Sequence, residues 1–289
     1  MKKILLTGGK GFFSTRFFKR YKDEFEVVLM SRQELDVSNK EEVLNKLNEI
    51  KPDYVIHAAA IAVTDFCNEN PEIAYKINVE GAINVGQACK KINAKMIFIS
   101  TEQIFNGNKE LGPYSEEHIA VPNTVYGQNK LEAEGLLKDL LDELWIIRFT
   151  WLFGLPEKEC NMATNIIWES ITKLLKGEKI KASSYEFRGM TYDTEMIENV
   201  IKIFSLPYGT YNLGSENDLS RYEIVKHILC EMGLENRIDE VLIKDNEKYN
   251  ENCKRDVRLN TNKAKECGLV FSSSKDAISK CIKDYKMKL

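Results

Sequence analysis

Apolar residues recur along the first half of the chain in short blocks separated by longer, helically patterned stretches. Ile4-Leu5-Leu6 leads into Thr7-Gly8, Val27-Val28-Leu29-Met30 ends at Ser31-Arg32, and Tyr54-Val55-Ile56-His57 runs into Ala58-Ala59-Ala60. Met96-Ile97-Phe98-Ile99 ends in Ser100-Thr101, and Leu144-Trp145-Ile146-Ile147 in Arg148-Phe149. Apolar runs of this length, bounded by turn residues, are the mark of strands buried on both faces. Between them, residues 12–22, 40–50, 71–91 and a segment starting near Tyr126 carry helical spacing, with Phe13 and Phe17 placed to pack. Strands alternating with helices predict an α/β chain with a parallel, doubly wound sheet.

Beyond Gly154 the rhythm loosens into a helix near 161–176, short strands, an apolar segment at 209–213, a helix near 220–232 and a charged region at 244–258. This reads as a smaller lobe interleaved with the first. Residues 1–154 plus about 190–214 are expected to form a nucleotide-binding domain, and about 155–189 plus 215–289 a substrate-binding lobe. A ligand would lie in the cleft between them.

Composition narrows the function. The 289 residues, 43% hydrophobic and 29% charged, suit a soluble globular protein. No apolar run is long enough to cross a bilayer, and Met1-Lys2-Lys3 enters a strand directly, so a cytoplasmic address is expected. A net charge of −3 gives no reason for nucleic-acid binding. Seven cysteines, odd in number and never spaced as Cys-x-x-Cys, argue for reduced thiols and against a zinc site. No metal is expected.

Gly8-Gly9-Lys10-Gly11-Phe12-Phe13-Ser14 follows a strand and opens a helix, the setting in which free backbone N–H groups hold a pyrophosphate. Ser14 stands where a third glycine is usual. An acidic residue ending the second strand would read ribose hydroxyls, whereas Ser31-Arg32 offers a cation suited to a 2′-phosphate, and Lys10 adds another. NADP(H) is therefore the preferred cofactor, with NAD(H) as the second choice. Asp36 and Val37 would line the adenine side, and the small Ala58, Ala59 and Ala60 would let backbone approach the cofactor. Tyr126 and Lys130, four apart on one helix face, form an acid–base pair in which a cation lowers the phenol pKa.

Taken together, Thr7-Gly8-x-x-Gly11, His57-Ala58-Ala59-Ala60, Ser100-Thr101 and Tyr126-x-x-x-Lys130 resemble the extended short-chain dehydrogenase/reductase superfamily. Within it the chain looks most like the dTDP-4-dehydrorhamnose reductases. Ile99-Ser100-Thr101-Glu102-Gln103-Ile104-Phe105-Asn106-Gly107 is similar to that family's I-S-T-D-Y-V-F-D-G, and Arg148-Phe149-Thr150-Trp151-Leu152-Phe153-Gly154 to its R-T-S-W-x-Y-G. The resemblance implies a Rossmann-type fold and reduction of a keto group on a nucleotide-linked 6-deoxysugar. It implies Tyr126 as proton donor, Thr101 hydrogen-bonded to the carbonyl oxygen, and Lys130 on the ribose hydroxyls. It places Gly8, Lys10, Gly11, Phe12, Phe13, Ser31, Arg32, Asp36, Val37, Ala58, Ala59, Ala60, Ser100, Tyr126 and Lys130 around the cofactor. Thr101, Gln103, Trp151 and Arg188 would meet the substrate. A homodimer would be the assembly if there is one.

Departures bear on the substrate. The family's Asp-Tyr after the threonine is Glu102-Gln103, and Arg188-Gly189-Met190-Thr191 lacks the proline of Q-x-G-x-P-T. Two other readings remain open. A nucleotide-sugar epimerase or dehydratase shares the tyrosine and lysine, although dehydratases carry two carboxylates after the threonine and this chain has one. A non-catalytic NADP-binding regulatory subunit, like that of methionine adenosyltransferase, would keep the fold without turnover.

Overall fold

The protein was analysed as a computed structural model that describes residues 1–287. Its central sheet has six parallel strands, β1 (Lys3–Thr7), β2 (Glu26–Met30), β3 (Tyr54–His57), β4 (Lys95–Thr101), β5 (Leu144–Phe149) and, later in the chain, Gly209–Leu213. The strand order is β2-β1-β3-β4-β5 followed by Gly209–Leu213. Connections run outward from β1 to β2 and then back across to β3. This puts the reversal of direction between Thr7-Gly8 and His57-Ala58, the place where open α/β sheets bind ligands.

Helices α1 (Phe12–Tyr21), α2 (Lys40–Ile50), α3 (Thr64–Glu69), α4 (Pro71–Tyr75), α5 (Gly81–Ile92) and α6 (Val125–Leu140) follow the early strands. The single helix expected over 71–91 is interrupted by a π-helical stretch at Lys76–Glu80, and the short α3 precedes it. One sheet face packs Leu5, Val55, Met96 and Phe98 against Val43, Leu47, Val85, Ala133 and Leu137. The other packs Ile4, Leu6, Ile97 and Ile147 against Phe13, Phe17 and Tyr21 of α1, where Phe13 meets Phe149 edge-on at 5.5 Å.

A third core gathers β6 (Trp151–Phe153), α7 (Ile166–Leu175), β7 (Ile180–Ala182) and β9 (Met190–Tyr192), with the short β8 (Glu186–Phe187) between β7 and β9 in the chain. The helices at Arg221–Glu231 and Ser274–Asp284 complete it. Met190 and Tyr192 belong to this core, whereas Ala264 and Leu269 join the α1 face of the main sheet. The two regions are thus threaded through one another.

Candidate active site

The glycine turn is shaped by close backbone approach. Gly8 has φ +68°, and a Cβ there would lie 3.0 Å from the Cα and N of Ala59. A side chain at Gly8 would therefore meet β3's outgoing backbone as well as strain its own. Gly11, the N-cap of α1, offers no side-chain cap, so the first N–H groups of α1 have no intrahelical partner. Beside this turn lies a cleft of about 220 Å³ lined by Gly8, Arg32, Asp36, Val37, Ala59, Ala60 and neighbouring apolar side chains. Arg32 and Lys10 are exposed near its mouth, and Lys10 Nζ donates to Gln33 Oε1 at 3.3 Å.

Some expected contacts are taken up elsewhere. Ser31 is buried, and its N–H and hydroxyl both donate to Glu34 Oε2, at 2.8 and 2.6 Å. Phe13 packs into the core, while Phe12 carries the Arg16 guanidinium 3.9 Å over its ring. Ser100 is buried and donates to Glu134 Oε1 at 2.5 Å. Asp36 accepts from the N–H and hydroxyl of Ser38, at 3.0 and 2.8 Å, which holds its carboxyl below the usual range. Ser38 engages one oxygen of that acid, whereas Arg32 lines the cleft with no side-chain partner among the described residues, an arrangement suited to an added phosphate.

The catalytic candidates meet at the same carboxyl edge of the sheet, two strands across from β1 at the end of β4. Helix α6 starts at Thr124, whose hydroxyl accepts from Gly127 N, while Asn68 Oδ1 accepts from Val125 N. A Cβ on Gly127 would fall 2.7 Å from the Gln103 carbonyl. The glycine thus lets α6 press against the end of β4 and brings Tyr126 to Thr101. Tyr126, Thr101 and Lys130 are all buried. Thr101 Oγ1 accepts from Gln103 N at 3.2 Å, capping the 3₁₀ turn Glu102–Phe105, and the Thr101 hydroxyl acts on the Tyr126 phenol to lower its pKa.

The acid–base pair differs from the spacing argument. Burial pushes the Tyr126 phenol up to about 12, outweighing the lowering effect of the Thr101 hydroxyl. Burial pulls Lys130 down to about 8, and Glu134 opposes the fall. Lys130 Nζ donates to the Ile99 carbonyl at 2.7 Å and lies 4.6 Å over the Phe98 ring. Helical spacing put the two side chains on one face, but desolvation rather than the neighbouring charge sets their protonation.

His57 is structural in this arrangement. It is fully buried, lies 2.9 Å from the Thr7 hydroxyl, and is held neutral by burial and by Lys130, its pKa lowered to about 3. Asn78 grips both backbone groups of Ile61, at 2.8 and 3.0 Å, and Asn84 donates to the Val37 carbonyl, so the helix beneath the sheet fixes the loops around the cleft.

Of the substrate candidates, Gln103 faces Thr64, whose hydroxyl lies 3.4 Å from its Oε1. Trp151 carries Arg188 at 4.5 Å and Arg221 at 5.6 Å from its ring centroid. Arg188 is ion-paired with the buried Glu102. Glu102 was missed as a site residue in the sequence, although a carboxylate directly after Thr101 was the signal. The family described as RmlD substrate binding domain matches residues 1–287. The chain belongs to that family.

Relatives of this RmlD-type chain agree with that placement. The chain is 30% identical over 240 residues to the spore coat polysaccharide biosynthesis protein SpsK of Bacillus subtilis, covering 82% of each. It is 29% identical over 241 residues to a dTDP-4-dehydrorhamnose reductase of Aggregatibacter actinomycetemcomitans, covering 80% of this chain and 79% of that one. A crystal structure of a dTDP-4-dehydrorhamnose reductase from Clostridium acetobutylicum superposes with a TM-score of 0.85 at 27% identity, covering 99% of this chain and all of that one. Among the described residues no helix is long and apolar enough to cross a membrane, and no cluster of three metal-ligating side chains occurs.

Proposed function

We propose that this protein is a nicotinamide-dependent reductase of the 4-keto group of a nucleotide-linked deoxysugar, converting dTDP-4-dehydrorhamnose to dTDP-L-rhamnose. The observation that carries the reading is a buried Tyr126 at the start of α6, with Thr101 acting on its phenol and Lys130 one helical turn further on, in an RmlD-family fold matched over residues 1–287.

The cradle fits a dinucleotide: Gly8 and Ala59 leave room for backbone approach, α1 presents uncapped N–H groups, and Arg32 stands at the cleft. When bound, a reduced nicotinamide supplies the hydride. Tyr126 Oη holds the proton that the carbonyl oxygen must receive, and its raised pKa keeps that proton on the enzyme until transfer. The Thr101 hydroxyl would orient the same oxygen, while Lys130 would hold the ribose hydroxyls and stabilise the phenolate left behind. Trp151 with Arg188 would border the sugar, and Gln103 would contact it from the turn after β4. NADP(H) is the preferred cofactor and NAD(H) the alternative, because Arg32 offers a cation at the cleft while Ser38 already engages one oxygen of Asp36.

A single carboxylate after Thr101, itself buried against Arg188, supports reduction over elimination. A regulatory role without turnover is less well supported, since Thr101, Tyr126 and Lys130 are retained together. A nucleotide-binding domain near 1–154 plus 190–214, with its borders shifted where β6 and β9 join the smaller core and where Ala264 and Leu269 join the main one, a homodimer and a cytoplasmic setting belong to the same proposal. The assay is loss of reduced-nicotinamide absorbance with a panel of nucleotide-linked 4-ketosugars. Oxidation with dTDP-4-dehydrorhamnose supports the reading, and oxidation with no member of the panel contradicts it.

A further inference from the structure

The Tyr126–Lys130 face of α6 continues one turn further to Glu134. That side chain is buried yet fully engaged: Oε1 accepts from Ser100 Oγ at 2.5 Å and from Arg148 Nε at 3.0 Å, and Oε2 accepts from Arg148 Nη2 at 2.7 Å. Arg148 is buried in the otherwise apolar β5, and its Nη1 reaches the Glu116 carbonyl at 3.3 Å. The fork therefore spans β5, the end of β4 and α6. A two-point contact of this kind fixes a carboxylate more tightly than a single bond.

Lys130 lies one helical turn before Glu134 on α6, and the two side chains meet adjacent residues of β4, Ile99 and Ser100, without a direct ion pair between them among the described residues. Lys130 Nζ meets the Ile99 carbonyl of β4 and the face of Phe98, which favour a cation without carrying net charge. From β3, His57 faces it in neutral form. Tyr126 on its own helix is also neutral, with Glu102 and Arg188 acting on that tyrosine as an opposed pair. Arg148 is held by the Glu134 carboxylate through Nε and Nη2. Burial works against the ammonium and the Glu134 charge works for it.

We propose that Glu134 is a positioning residue of the reaction: clamped by Arg148 and Ser100, its carboxylate is the fixed counter-charge that keeps Lys130 an ammonium within the site. The inference rests on the reductase reading for its effect on turnover, but its effect on cofactor binding stands apart from any sugar. Glu134 acts through Lys130 and touches neither carbonyl nor cofactor. Deleting its charge leaves the shape of the site and removes the electrostatic support.

The test compares wild type with Glu134→Gln. A second variant, Glu134→Gln combined with Arg148→Met, removes both buried charges, a change that cores often tolerate. NADPH affinity, followed by fluorescence of the bound nicotinamide, and kcat/KM are measured against pH. In wild type both fall on the alkaline side as pH passes through about 8. In the variants the alkaline fall moves down by about one pH unit or more, in binding and turnover together. Glu134→Asp, which keeps the charge, returns it toward the wild-type position. A folded variant whose alkaline fall stays in place, or that loses affinity equally at every pH, overturns the proposal. If wild type oxidises NADPH with no ketosugar, the reductase reading fails, and the binding profile alone still decides the role of Glu134.

Discussion

Glu102, in the turn directly after Thr101, forms a buried ion pair with Arg188, which the β8–β9 turn of the smaller lobe supplies. Burial pushes the Glu102 carboxyl up and the Arg188 guanidinium down, and each is offset by the other. One oxygen of Glu102 and Nε of Arg188 have no hydrogen-bond partner among the described residues. The pair is thus a tie between the two lobes beside Tyr126. Removing one partner leaves an uncompensated buried charge, so Arg188→Met is expected to cost about 3–5 kcal/mol of stability, whereas the double change Glu102→Gln with Arg188→Met costs much less. Urea unfolding of the single and double variants measures the difference, and equal losses would contradict the pairing.

Cofactor choice should rest on Arg32. Arg32→Ala is expected to lower kcat/KM with NADPH by about 10-fold or more, the worth of one hydrogen bond to a charged group, and to leave NADH almost unaffected. Rates with the two cofactors, taken side by side, give the ratio. A matched fall with both would place Arg32 outside the recognition of the 2′-phosphate.

Gly8 is required twice, by its φ of +68° and by the backbone of Ala59 at 3.0 Å from any added Cβ. Gly8→Ala is expected to cost about 1–2 kcal/mol for the left-handed backbone alone. Displacement of the Ala59 segment should weaken NADPH binding beyond that. Thermal unfolding with and without NADPH reports both effects. An alanine variant that binds NADPH as wild type does would show that the approach of Gly8 to Ala59 is unimportant.

Acid should loosen the fold through His57. Its folded pKa of about 3 lies below its ordinary 6.5, so the unfolded chain binds the extra proton between these values. Stability from this group is present above pH 6.5 and is lost as pH falls toward 3, with a slope of at most about 1.4 kcal/mol per pH unit. Lys130 acts on the other side of neutrality. Lowered from 10.5 to about 8, it makes stability rise with pH across that interval. Denaturant midpoints collected across pH for wild type and His57→Gln check the acid half, which the substitution should flatten.

Much of the fold was readable because buried parallel strands leave uninterrupted apolar runs, as in Ile4-Leu5-Leu6 and Met96-Ile97-Phe98-Ile99, and because Gly8 and Gly11 mark a turn that few other residues permit. The face shared by Tyr126 and Lys130 was equally legible from helical spacing. Burial was not. Spacing placed a cation near a phenol, whereas the depth of both side chains decides that the phenol is raised and the lysine lowered. Ser31 and Ser100 looked available at strand ends, but Glu34 and Glu134 claim their hydroxyls, the second from a distant part of the chain. The π-helical turn at Lys76–Glu80 left no periodic trace over five residues, and α3 is too short to show one. Arg148 within an apolar strand was the one sequence signal of the buried clamp behind Lys130.

The most direct measurement sets wild type against Tyr126→Phe, recording NADPH oxidation with dTDP-4-dehydrorhamnose and NADPH affinity for each. Wild type should consume NADPH with this ketosugar, and the variant should turn over about 10²-fold more slowly or worse while binding NADPH nearly as well. Equal turnover by the two proteins would contradict the assignment of the proton to Tyr126.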